Sequence, residues 1–164
     1  MRLIFLRHGE KVRGGRDGAL TEHGCEQSRL AGIWLRDQGH RPTHLLTTDT
    51  IRTIRTGALA IAEAMPSGCV VLPPRSGLAV SPGRWDRMAA ELAERLGADA
   101  TVLLVGHEPT QDLIERTWAR ELRAPERNHC AVFVMESEAG GEWRCTQAFG
   151  GVEDAGAGAA VEAT

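Results

Sequence analysis

His8, His107, Arg7 and Arg52 are the residues of this chain whose types and settings could do chemistry together. The apolar run Leu3 to Leu6 ends on Arg7-His8-Gly9, Thr101 to Val105 ends on Gly106-His107, and Arg52 stands just inside a helical pattern that begins at Ile51. Such a set suits phosphoryl transfer, which needs an in-line nucleophile and donors for the charge on the equatorial oxygens. A neutral imidazole supplies the first, and two guanidinium groups with a second imidazole supply the rest. Arg7 and Arg52 would disfavour a protonated His8 and keep its lone pair available near neutral pH. A helix start at Asp49 to Arg52 would add a positive dipole end. Plainer uses exist for each: a structural histidine at 8, a helix cap at His107, a solvated Arg52 paired with Asp49. Arg7 has the fewest, because a charge directly after four apolar residues must find a partner. His23, His40, His44 and His129 stand in no motif and read as surface or core residues.

The elements that must position these residues alternate between strand and helix. Leu3 to Leu6 reads as a buried strand feeding a polar, glycine-rich loop. Thr21 to Gln38 carries apolar residues at helical spacing, with Thr21 as N-cap and Gly39 where a C-cap glycine belongs. Thr43 to Thr47 is a second strand, Thr48-Asp49 a helix cap, Ile51 to Ala64 a helix closed by Pro66, and Cys69 to Leu72 a third strand. Pro73 to Gly83 should be irregular, and Arg84 to Leu96 a helix ending at Gly97. Thr101 to Val105 is the most strand-like segment, followed by a helix from about Pro109, an N1 proline, through Trp118. Cys130 to Met135 and Trp143 to Phe149 form two closing strands joined at Gly140-Gly141. The expected fold class is therefore α/β, a three-layer α/β/α sandwich around a mostly parallel sheet. Ligands of such sheets sit at the carboxyl ends of the strands, where His8 and His107 fall.

Composition narrows the rest. A chain of 164 residues, 42% apolar and 25% charged, fits one domain with a proper core, placed at residues 1–152; the small, Gly/Ala-rich segment 153–164 is expected to be a disordered tail. No apolar run approaches the roughly 18 residues of a membrane span, and the apolar start is too short for a signal peptide, so a cytoplasmic location and no membrane partner are expected. Residues 1–152 hold 19 basic and 19 acidic side chains, which leaves no footprint for nucleic acid. Cys25, Cys69, Cys130 and Cys145 are scattered without a Cys-x-x-Cys pair, and are expected as reduced residues with no metal and no cofactor. Of the 19 basic residues 18 are arginine, a bias read as compositional except at Arg7 and Arg52.

Leu3-Ile4-Phe5-Leu6-Arg7-His8-Gly9-Glu10 resembles the opening signature of the histidine phosphatase superfamily, the phosphoglycerate-mutase-like group. Three further stretches agree in order: Asp17 to Gln27, Thr47 to Thr56, and Leu103 to His107, with Asn128 to Phe149 resembling the closing pair of strands. The resemblance covers about residues 1–150 and implies a phosphoglycerate-mutase-like fold. It implies too that His8 is the nucleophile, forming phosphohistidine that water then hydrolyses. Arg7, Arg52, His107 and Gly9 would hold the phosphate.

Departures from the pattern bear on the substrate. Many members place a glutamate in the middle section to protonate the leaving oxygen, but Arg75 to Arg84 contains no acid, and Asp86 and Glu91 are the nearest candidates for a general acid. A phosphoramidate nitrogen depends less on such an acid than an alkoxide does. Seven residues separate Gly9 from Asp17, a short loop that resembles the compact SixA-type phosphohistidine phosphatases. The favoured expectation is a phosphatase acting on a protein phosphohistidine. Alternatives are a small phosphate ester as substrate, a phosphoglycerate-mutase-like activity, and a non-catalytic phosphate-binding module. A mutase would need a closed pocket that keeps the phosphate from water, and the short chain leaves little material for a lid. The assembly is expected to be a monomer or weak dimer.

Overall fold

The computed structural model describes residues 1–14, 18–65, 68–120, 122, 128–137 and 141–151, together with the backbone of 160–162. Among the described residues, seven strands and four helices follow one another as β1 (Arg2–Arg7), α1 (Glu22–Asp37), β2 (His44–Thr47), α2 (Ile51–Ala64), β3 (Val70–Val71), α3 (Pro82–Leu96), β4 (Thr101–Gly106), α4 (Glu108–Thr117), β5 (Val132–Ser137), β6 (Trp143–Phe149) and β7 (Ala160–Glu162). They form one sheet in the order β3-β2-β4-β1-β5-β6-β7.

The pleat of β1 sorts its side chains between two cores. Leu3 and Phe5 join Trp85, Met88, Leu92, Leu113 and Ile114, which come from α3 and α4. Ile4 and Leu6 join Ala31, Leu35, Ala60 and Ala64 from α1 and α2 on the other face. With helices on both sides, β1 must be apolar throughout, which is why it reads as a run and not an alternation. The three-layer α/β/α class is thus present.

Its sheet is parallel only in part. β3, β2, β4 and β1 run parallel, whereas β5, β6 and β7 are antiparallel to their neighbours. The helices that lead into a parallel strand end with α3, and β5, which follows α4, runs antiparallel to β1 and pairs with β6 as a hairpin.

Local signals set most boundaries. The Thr21 hydroxyl accepts from the Gly24 amide and caps α1, and Gly39 just beyond that helix has φ +76°. Three expectations shift. The helix expected from Arg84 starts at Pro82, because proline fits a first turn. α4 starts at Glu108, so Pro109 is its second residue, with His107 at the N-cap position. α2 is preceded by Thr50, not Thr48-Asp49, at the N-cap. The tail expected at 153–164 falls mostly outside the described residues, as do Pro66, Asp17 and Gly140; within it, the backbone of Ala160–Glu162 pairs with β6.

Candidate active site

The central strands β1 and β4 lie side by side, with Arg7 in register with Gly106, so the residues that follow them meet. His8 donates its amide to the Gly106 carbonyl at 3.1 Å, and the rings of His8 and His107 pack edge to face with centroids 5.2 Å apart. His8 is 7% exposed. Its Nδ1 lies 2.8 Å from the Gly9 carbonyl oxygen, an acceptor, so Nδ1 carries the proton and Nε2 keeps the lone pair. Burial is the main reason the His8 pKa drops to about 3, helped by His107, Arg52 and His129. Arg7 lowers the pKa of His107 and of His129.

His107 stands at the N-cap of α4 but makes no capping bond. It belongs to a directed chain. Arg52 reaches its Nδ1 at 3.4 Å, and its Nε2 lies 3.0 Å from the Thr48 hydroxyl, which donates to Thr53 Oγ1 at 2.9 Å. Guanidinium can only donate, so Nδ1 accepts and Nε2 donates to Thr48. Burial and Arg52 lower the His107 pKa, and Asp49 opposes them.

Arg7 is held at the floor. Its side chain is 11% exposed, with Nη1 3.5 Å from Gln111 Oε1 and Nη2 4.0 Å from Glu108 Oε2, both on α4. The structure therefore brings His8, Arg7, Arg52 and His107 together from three separate segments, the end of β1, the start of α2 and the end of β4.

Two expectations need correction. Gly9 is no phosphate donor here, since its amide donates to Thr56 Oγ1 at 3.0 Å. Glycine is required there for contact: a Cβ would lie 2.3 Å from the Gly24 carbonyl oxygen, where the loop rests on the first turn of α1. The candidate acids Asp86 and Glu91 have other neighbours. Glu91 pairs with Arg75 and with Arg95 at 3.9 Å, while Asp86 borders a separate groove with Trp118 and Trp143.

Sequence reasoning missed His129. Its ring centroid lies 5.8 Å from that of His8, and burial and Arg7 lower its pKa while Glu10 and Glu108 raise it. The antiparallel register explains the meeting: Leu6 pairs with Val132, so residues just before β5 fall beside those just after β1. Buried Cys130 then turns the chain with φ +58°, an unusual left-handed value for a side chain. Thr48, Gln111 and Glu108 were missed as well, each being ordinary until placed.

No protein-family model matches the chain. The probable phosphoglycerate mutase GpmB of Erwinia tasmaniensis is 40% identical over 83 residues, 46% of this chain but 36% of that protein. The chain thus spans about a third of the length of the curated relatives it matches. Among solved structures, the protein histidine phosphatase SixA in complex with tungstate superposes with a TM-score of 0.61 at 20% identity, covering 90% of this chain and 96% of that one. The SixA protein of Nakamurella multipartitia gives 0.62 at 25% identity, with 90% and 94% covered. The chain has the histidine phosphatase fold. Within that fold, shared with SixA and with phosphoglycerate mutases, the four residues above occupy the carboxyl edge of the sheet.

Proposed function

We propose that the protein is a phosphatase that works through a phosphohistidine at His8 and needs no metal ion. The observation that carries this reading is the state of His8, a buried imidazole kept neutral and oriented by the Gly9 carbonyl, with Arg52 and two further imidazoles against it. Nε2 attacks phosphorus, the bond to the leaving atom breaks, and that atom departs with its electron pair and takes up a proton. Water then attacks the phosphohistidine, loses a proton, and releases inorganic phosphate and neutral His8. Arg7, Arg52 and His107 hold the equatorial oxygens through both steps.

The favoured substrate is a phosphohistidine borne on a protein, with the enzyme acting in the cytoplasm as a monomer or weak dimer. Support comes from the SixA-like fold and from the absence of an acid between Arg75 and Arg84. One observation favours the small phosphate ester instead: Glu108 lies at the site beside Arg7 and is half-exposed, where it could protonate an alkoxide. No helix among the described residues is long and apolar enough to cross a membrane.

The test compares para-nitrophenyl phosphate with a phosphohistidine protein, using wild type and His8→Ala, with and without chelator. Turnover by wild type, unaffected by chelator and reduced at least roughly a thousandfold in His8→Ala, is the expected outcome. No turnover of either substrate sinks the phosphatase reading, and survival of turnover in His8→Ala sinks the nucleophile.

A further inference from the structure

A second basic feature lies next to the histidines. Arg75, Arg84 and Arg87 line an open groove of about 350 Å³ with Gly77, Leu78 and Glu91. Its wall touches the site at two points. Arg75 is bonded through its backbone on either side of Thr48, donating to the Thr47 carbonyl and accepting from the Asp49 amide, each at 2.9 Å. Thr48 is the residue that receives His107 Nε2. Leu78 packs over Gly106, so closely that a Cβ there would lie 2.8 Å from Leu78 Cδ1. The groove therefore opens off the same edge of the sheet, beside Thr48 and Gly106.

Its charge is unbalanced. Glu91 pairs with Arg75, whereas the exposed side chains of Arg84 and Arg87 make no hydrogen bond or ion pair among the described residues. Arg84, Arg87 and Glu91 share one face of α3 and flank buried Met88, which lines the same groove. The first turn of that helix contains no acid, so its positive dipole end is unshielded by one. This stands out in a chain whose formal net charge is −3.

We infer that the groove of Arg75, Arg84 and Arg87 docks an acidic segment of the phosphorylated protein beside the residue that the site dephosphorylates. The inference rests on the phosphatase reading for its purpose but on charge and position for its partner. An open, mainly polar groove encloses a small molecule poorly, and planar guanidinium groups suit carboxylates presented along an extended chain. The groove's arginines are among those that the sequence reading assigned to composition.

The experiment measures binding and turnover separately. A fluorescent peptide rich in glutamate should bind wild type at low salt, release as salt rises, and bind the double variant Arg84→Glu/Arg87→Glu about tenfold more weakly or worse. The matching peptide with glutamine for glutamate should not bind. On a phosphohistidine protein flanked by glutamates the double variant should lose about tenfold in kcat/KM, through KM, while para-nitrophenyl phosphate turnover stays within about twofold. Equal binding of the glutamate peptide by wild type and variant overturns the inference. So does equal binding of the two peptides by wild type, or displacement by citrate with no peptide binding. If wild type turns over nothing, the phosphatase reading fails, and the peptide measurements still decide the groove.

Discussion

The histidine cluster and the arginine groove are neighbours on one edge of the sheet, and both present positive or donor groups, yet they are built in opposite ways. In the cluster every group is held by another: His8 by Gly9, His107 by Thr48 and Arg52, Arg7 by α4. In the groove Arg84 and Arg87 stand in solvent without such contacts. Enclosure makes interactions in the first strong and their loss expensive, whereas water and salt weaken those in the second. Chemistry requires the former arrangement, and reversible recognition the latter.

The contrast can be broken from the largest effect downward. Arg52→Ala removes a donor from the enclosed cluster and should lower kcat for para-nitrophenyl phosphate about a hundredfold, read by steady-state kinetics. An effect under about threefold would mean that Arg52 acts like a groove arginine.

Next comes acid stability. Between its ordinary pKa of 6.5 and the folded value of about 3, the unfolded chain holds a proton on His8 that the native state refuses. Stability therefore falls as pH drops through that window, by about 2 kcal/mol from this residue at about pH 5. Denaturant titrations at pH 7 and 5 should show His8→Ala losing less stability than wild type by that amount. Equal losses would place His8 in water.

Thr48→Val leaves His107 Nε2 without its acceptor and should lower kcat about tenfold with a smaller change in KM. Smallest of all is Arg84→Ala, expected to leave para-nitrophenyl phosphate turnover within about twofold. A larger loss there would merge the two regions into one site.

Much of this was legible in the sequence, and the gaps have physical causes. Helices announced themselves because caps and periodicity are local: Thr21 and Gly39 bracket α1 as read. His8 and His107 were found because each ends a buried strand, and parallel neighbours bring equivalent ends together. His129 was not found because its position depends on β5 running antiparallel to β1, a pairing that no local pattern encodes. Gly9 was assigned to phosphate because a backbone amide in a loop looks available. Only the packed structure shows it spent on Thr56. The depression of His8 was expected from arginine charge, but burial dominates it, and burial depends on residues scattered through the chain.

The place of β1 has a consequence for when the site can exist. Arg2 pairs with Thr101 on one side and with Glu136 on the other, so β1 waits for two later strands before its edges are covered. Such distant pairings close slowly. During synthesis the strand carrying His8 is an apolar segment without neighbours, open to chaperones and to aggregation. The setting of His8 is therefore completed only after β4 and β5 have both been made.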